Sequence, residues 1–268
     1  MHILFVGYGK TSQRVAKHLF QSGHKISTIS RSPKPQDGAT HQIQDIHHLD
    51  LSQFQPIDYV YVLLTPGESS AEAYQQTYVD SVKPIAAGLA IHPIKRIFVV
   101  SSTRVYGEDQ GQHIDDLSPI KPSDEQGQLL LQMEQLWQEL YPHQVIIIRP
   151  SGIYGTSIAR MIKLAETTQY YPKVHWSNRI HIEDLAAFLA YILHVEQPAA
   201  SYIVSNNQPT ALHETIQWFQ KQLNLAPLQL ESELMSGKKI YAPQMLETGF
   251  QLQHQDCFQD YLALLQQD

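Results

Sequence analysis

The chain has 268 residues, 43% of them apolar, and a formal net charge of −7. That length buries a substantial core, and that composition excludes wholesale disorder. The acidic balance argues against holding nucleic acid or an anionic membrane by bulk attraction, and a single cysteine, Cys257, excludes internal disulfides and cysteine-built metal centres.

Ile3-Leu4-Phe5-Val6 is an unbroken apolar run, the pattern of a strand buried on both faces. It stops at a glycine loop, Gly7-Tyr8-Gly9-Lys10-Thr11-Ser12, too early for a signal peptide. Val15, Ala16, Leu19 and Phe20 then recur at helical spacing, with Gly23 placed to end the helix. Lys25–Arg31 alternates as a second strand, so the chain opens as a β–glycine loop–α–β unit.

A weaker element around Gln42-Ile43 precedes Asp50. Tyr59–Leu64 is a strong strand. The spacing predicts a helix from the Ser69-Ser70 cap into the late 80s, kinked or ended by Pro84. Arg96–Ser102 is another buried strand, and a polar loop from Gly107 to Pro122 leads into a helix through Leu129–Trp137. Val145–Pro150 is a further strand. Strands alternating with helices predict an α/β fold with a Rossmann-type, doubly wound parallel sheet. Beyond residue 150 the alternation loosens. Helices are expected near 158–165, 183–195, 210–223 and 258–265, with a basic, aromatic loop at 173–179 and a late strand at Tyr202–Ser205. We therefore expect one Rossmann-type domain over 1–268, in which roughly 151–268 contributes the last sheet strands and a smaller, interleaved C-terminal substrate lobe. No stretch approaches the roughly 18 apolar residues of a membrane helix. With one cysteine and no signal segment, the expected location is cytoplasmic.

Gly7-x-Gly9-x-x-Ser12 is close to the dinucleotide fingerprint. Gly7 permits the tight turn, Gly9 lets the backbone approach a pyrophosphate, and Ser12 is small enough for the helix to pack on the strand. The helix start supplies amide donors to phosphates. Without a nucleotide, the same residues make an ordinary glycine turn. At the end of the second strand an acid binds the ribose of NAD, whereas a base accommodates the 2′-phosphate of NADP. Ser30-Arg31-Ser32 has no acid, and Lys10 adds a second positive charge, so NADP is favoured over NAD. Asp50 is read either as a partner for the adenine amino group or as the start of a turn.

Ser101-Ser102-Thr103-Arg104-Val105-Tyr106-Gly107 resembles the Ser-Ser-x-x-Val-Tyr-Gly stretch of extended short-chain dehydrogenases/reductases, the branch with NAD-dependent sugar-nucleotide epimerases and dehydratases. Arg149–Gly155, Arg179–Ala186 and Tyr202–Pro209 continue the likeness in the right order. The resemblance implies an NAD(P) cofactor, a nicotinamide beside Ser102 and the Pro150–Gly152 turn, and Ser102 bonded to the reacting oxygen with Thr103 as its neighbour. It also implies a Tyr-x-x-x-Lys pair for proton chemistry. With Glu134 as register, those two positions fall on Gln126 and Leu130, which cannot move protons. The chain thus resembles atypical members of the superfamily that lack the pair.

Candidate replacements are Glu108, His113, Asp115, Asp116, Tyr106 and Tyr154. The paired acids also read as a turn, the two tyrosines as packing, and Asp184 as a helix-start charge. The implied activity is an oxidoreductase or isomerase on a sugar-like alcohol or ketone with a non-standard acid/base. The alternative is an NAD(P)-binding sensor or regulator without turnover. The expected partners are a small-molecule substrate, with nucleotide-sugars in view, and for the chain itself a monomer or homodimer.

Overall fold

The computed structural model describes residues 1–35 and 37–266. The chain divides into two compact units. The first comprises Met1–Gly107, Ile120–Arg149 and Leu185–Tyr202. The second comprises Glu108–Pro119, Pro150–Asp184 and the chain from Ile203 onward.

The large sheet is built on β1 (His2–Val6), β2 (Lys25–Ser30), β3 (Thr40–Ile43), β4 (Tyr59–Val62) and β5 (Arg96–Val100). Its seven strands run Ser201–Val204, Val145–Pro150, β5, β4, β1, β2, β3. The pairings from Val145–Pro150 through β3 are parallel. β1 and Val145–Pro150 are buried at every position, which is why they read as unbroken apolar runs. Strand order reverses direction at β1, a topological switch point, and ligands of such sheets bind beyond the carboxyl ends of the strands there. Phe5, Tyr61 and Phe98 stand in register on β1, β4 and β5 and stack at 4.9 and 4.6 Å. The Tyr61 hydroxyl donates to the Leu189 carbonyl at 2.7 Å, so the buried phenol is satisfied.

α1 (Lys10–Gln21) follows the glycine loop and buries Ser12, Val15, Ala16 and Leu19. The helix expected from Ser70 into the late 80s is interrupted. Ser70 caps Ala71–Tyr74, a π turn occupies Gln75–Val79, and a new helix runs Val82–Leu89. The break precedes Pro84, which sits in the first turn of the new helix, where its missing N–H costs nothing.

The second unit differs more from the sequence reading. A four-stranded sheet orders Thr210–Ala211, Val174–Ser177, Met235–Ile240 and Gln112–Ile114, with one antiparallel and two parallel pairings. Residues 174–177 and 112–114, expected as loop, are therefore strands. Met235–Ile240 is a strand that polar composition conceals. Its Gly237 has φ +69°, and a Cβ there would lie 2.4 Å from the Trp176 carbonyl oxygen. A helix, Cys257–Leu265, closes an aromatic cluster of Tyr154, Phe219 and Tyr261. Cys257 is buried in it, and burial pushes its thiol up to about 11. No described helix is long and apolar enough to cross a membrane.

Candidate functional site

In the first unit, a cavity of about 480 Å³ opens at the carboxyl ends of β1, β2 and β4. Its lining includes Gly7, Tyr8 and Gly9 from the glycine loop, Arg31, Ser32 and Lys34 after β2, and Asp45, Ile46 and His47 after β3. The turn is held from within. Gly7 donates its N–H to the Ile29 carbonyl at 2.9 Å, and Ser12 Oγ donates to the Gly7 carbonyl at 2.9 Å. Gly7 has φ +90°, and a Cβ there would lie 2.1 Å from the Leu63 carbonyl oxygen. Only glycine fits. Gly9 is different: its φ is −90°, and a Cβ would meet nothing within 4 Å. Gly9 is the N-cap of α1, and no side chain caps that helix. The space over Gly9 is open beside the uncapped first amides of α1, where a helix start offers donors to an anion.

Arg31, Lys34 and His47 bring positive charge to this cavity, and Asp45 is its one acid among the described residues. Asp45 Oδ1 accepts the His47 backbone N–H at 3.0 Å and faces His47 Nδ1 at 2.9 Å. The His47 bonds hold its carboxyl below the ordinary range. His47 Nε2 lies 2.9 Å from the Gln76 carbonyl oxygen, and that contact followed by Asp45 raises the histidine pKa.

Beyond β5, Ser102 caps the short 3₁₀ turn Thr103–Val105, and its Oγ accepts the Arg104 backbone N–H at 3.2 Å. The Arg104 Nε donates to both oxygens of Asp124 at 2.9 and 3.0 Å, and Nη2 donates to Gln126 Oε1 at 3.2 Å. Asp124 also accepts the Gly127 N–H at 2.7 Å as N-cap of the helix Glu125–Leu140. Gln126 Nε2 donates to the Ser69 carbonyl at 3.3 Å, and Leu130 is buried. Tyr106 is buried, its hydroxyl accepting from Arg149 Nη1 at 3.0 Å. Arg149 in turn forks onto Glu134, with both charged side chains almost wholly buried.

The second unit has its own cavity of about 320 Å³, between Gly152–Tyr154 and the helix Ala159–Thr167. Arg160, Arg179 and His175 line it with Ser157 and Asn178, and no acid does among the described residues. Arg179 is 7% exposed; Nη2 donates to Thr215 Oγ1 at 3.0 Å, and Nη1 is buried, near Tyr261, with no hydrogen bond of ordinary geometry among the described residues.

The NAD dependent epimerase/dehydratase family model matches residues 7–204. The chain belongs to this family. It is 27% identical over 198 residues to Protein YeeZ of Escherichia coli (strain K12), covering 73% of this chain and 71% of that one. A solved structure provisionally named an NAD-dependent epimerase/dehydratase, from Methylobacillus flagellatus, is 29% identical over 99% of this chain and 98% of its own, with a TM-score of 0.82. MoeE5, solved with UDP-glucose and NAD, superposes with a TM-score of 0.80 at 17% identity, over 100% and 99% of the two chains; at that identity the likeness is one of fold.

Within this family framework, the cavity of the first unit brings together Gly7, Gly9 and Arg31. Lys10 is exposed on the first turn of α1 and Ser12 is buried beneath the loop; neither lines the cavity. Asp50 is also outside it. Its Oδ1 accepts the Ser52 N–H at 2.9 Å and its backbone pairs with Gln44, so it begins a turn. Asp45 and Ile46 line the cavity instead; an acid followed by an apolar residue after a strand was the signal available in the sequence. Pro150 ends its strand, buried, in the second unit.

The candidate proton carriers are occupied in several cases. Tyr154 Oη donates to Asp260 at 2.5 Å, and burial together with Asp260 drives its pKa far up, so it holds its proton. Asp115 closes a turn onto Leu117 and Ser118 and lies 3.4 Å from His113. Asp116 accepts the backbone N–H groups of Ile203 and Gln244; burial raises its pKa. Glu108 has one buried oxygen without a partner among the described residues. Asp184, 1% exposed, accepts the N–H groups of Gln253 and His254 at 2.9 Å each, a structural brace.

Proposed function

We propose that the protein binds NADP(H) in the cavity of the first unit and is an oxidoreductase or isomerase acting on a sugar-like alcohol or ketone without a Tyr-Lys pair. The observation that carries this reading is the open cradle over Gly9 at the uncapped start of α1, in the same cavity as Arg31 and Lys34. The amides of Lys10, Thr11 and Ser12 would hold the pyrophosphate, and Arg31 with Lys34 the 2′-phosphate. Asp45, not Asp50, would accept from the adenine amino group. The bound dinucleotide supplies a hydride acceptor or donor. Ser102, with Thr103 beside it, would hold the substrate oxygen, and Gln126 and Leu130 move no proton. The 151–268 portion would act as the substrate lobe, and its own cavity, lined by Arg160 and Arg179, suits an anion. NADP is favoured over NAD because Arg31, Ser32 and Lys34 follow β2 with no acid among them.

A second reading, a dinucleotide sensor without turnover, is favoured by Gln126 and Leu130 and by the tied hydroxyls of Tyr106 and Tyr154. The two part on one experiment. The protein is incubated with NADPH or NADP⁺ and a panel of sugars, ketoses and nucleotide-sugars, and absorbance at the reduced-nicotinamide band is followed with product analysis for isomers. Turnover with one of the panel, lost in Ser102→Ala, supports the enzyme. Tight NADPH binding with no turnover supports the sensor, and no binding of either dinucleotide removes both.

A further inference from the structure

The loop between β2 and β3 brings Arg31, Ser32 and Lys34 to the cavity of the first unit, and it carries a single acid, Asp37. Asp37 does not line that cavity. It lines another, of about 450 Å³, together with Gln13 and Lys17 of α1. Three bonds hold its carboxylate. Oδ2 accepts from the Tyr8 hydroxyl at 2.6 Å. Oδ1 accepts the Ala39 N–H at 3.1 Å and lies 3.0 Å from His41 Nε2. A carboxylate only accepts, so Nε2 carries the hydrogen. His41 Nδ1 lies 2.6 Å from Oγ1 of Thr28, its register partner on β2. The chain of contacts Tyr8–Asp37–His41–Thr28 therefore ties this loop both to the glycine loop and to the sheet.

Each end of the latch is itself fixed. Tyr8 is 2% exposed, and its ring stands between Phe5, at 5.8 Å, and His41, at 5.2 Å. Burial, and then Asp37, drive its phenol far above the ordinary value, so it keeps its proton and donates. Burial by itself would raise the Asp37 carboxyl; the bonds from Tyr8, Ala39 and His41 outweigh it and hold the group below its ordinary range. At the other end, Thr28 is fully buried in β2. Two prolines carry the restraint towards the cavity. Pro33 and Pro35 flank Lys34, and each fixes its own φ and restricts the residue before it. A loop ordered before its ligand arrives loses less freedom on binding. We infer that Tyr8 and His41 are positioning residues for the choice of dinucleotide: through Asp37 they hold Arg31 and Lys34 ready for a 2′-phosphate. This rests on the proposed NADP(H) site, whereas the latch itself belongs to the free chain.

Two measurements on the full chain test it, on variants shown by thermal melting to be folded. The first needs no dinucleotide: the rate of trypsin cleavage after Arg31 in the native protein. Tyr8→Phe keeps the ring and removes only the hydroxyl. It should speed that cleavage about tenfold, the worth of one hydrogen bond to a charged group. An unchanged rate overturns the inference. The second is calorimetric titration with NADPH and with NADH. Tyr8→Phe, His41→Phe and Asp37→Ala should each weaken NADPH binding about tenfold and leave NADH binding as it was, because only NADPH carries the 2′-phosphate. Equal losses for both dinucleotides would mean a general loosening of the glycine loop, and overturn the inference. Tighter NADPH binding by Asp37→Ala would make Asp37 a repelling charge and not an anchor, and overturns it too. A wild type that binds NADPH no better than NADH refutes the proposed NADP(H) site and this inference with it. A wild type that prefers NADPH, with the full preference kept in Tyr8→Phe, overturns the latch alone.

Discussion

Gly7 and Gly9 stand two residues apart in one loop, yet their substitution should fail in opposite ways. At Gly9 the backbone, φ −90° and ψ −166°, is open to any L-residue, and a Cβ meets nothing within 4 Å. Replacing glycine lowers the entropy of the unfolded chain, worth ~0.4–1 kcal/mol. Losing a favoured N-cap residue costs about 1 kcal/mol. Gly9→Val should therefore change stability by no more than about 1 kcal/mol, a shift of roughly 2–4 °C in Tm. Its side chain fills the cradle, so NADPH affinity should drop at least about a hundredfold, or ~2.7 kcal/mol. Gly7→Ala meets the Leu63 carbonyl oxygen at 2.1 Å and holds alanine at φ +90°. Backbone strain of ~1–3 kcal/mol and overpacking of ~1–3 kcal/mol add to a loss of about 2–6 kcal/mol. Calorimetric NADPH titration and thermal melting of the two variants read both quantities. A Gly9→Val protein that binds NADPH as the wild type does, or melts as early as Gly7→Ala, would refute the assignment of the cradle.

Arg31→Ala should weaken NADPH binding roughly tenfold to a hundredfold, the worth of one or two charged hydrogen bonds, and leave NADH binding unchanged; equal losses for both dinucleotides would show that Arg31 does not face a 2′-phosphate. Glu134→Gln leaves the Arg149 charge buried without its partner, and should cost about 3–5 kcal/mol in denaturant unfolding; a loss below ~1 kcal/mol would mean that the pair is hydrated. His47 is held above its ordinary value of 6.5, first by the Gln76 carbonyl and then by Asp45. Its charged form is favoured in the fold, so its contribution to stability is complete below 6.5 and fades as pH rises through the raised folded value. His47→Gln should flatten that decline in a pH series of unfolding midpoints, and an unchanged slope would contradict it.

The large sheet was legible because its strands are buried on both faces: Ile3–Val6 and Val145–Pro150 announce themselves by composition alone. The glycine loop was legible for a different reason, since Gly7 occupies a position that no other residue tolerates. The break near residue 80 was visible but misplaced, because proline marks helix starts as well as interruptions. The small sheet of the second unit escaped notice. Its strands run from two to six residues, and Met235–Ile240 carries a glycine at positive φ and two lysines. Asp50 drew attention by its place after an expected strand, whereas β3 ends at Ile43 and the cavity takes Asp45. The Arg104–Asp124–Gln126 assembly was beyond sequence reading, because its members are joined across about twenty residues by side-chain geometry.

The central claim is that the first unit holds a dinucleotide through the Gly9 cradle. A crystal structure of the NADPH complex tests it most directly. The account predicts the pyrophosphate over Gly9 against the first amides of α1, the 2′-phosphate within hydrogen-bond reach of Arg31, and the adenine beside Asp45 and Ile46. Density for the pyrophosphate elsewhere, or an Arg31 side chain turned away from the 2′-phosphate, would contradict it.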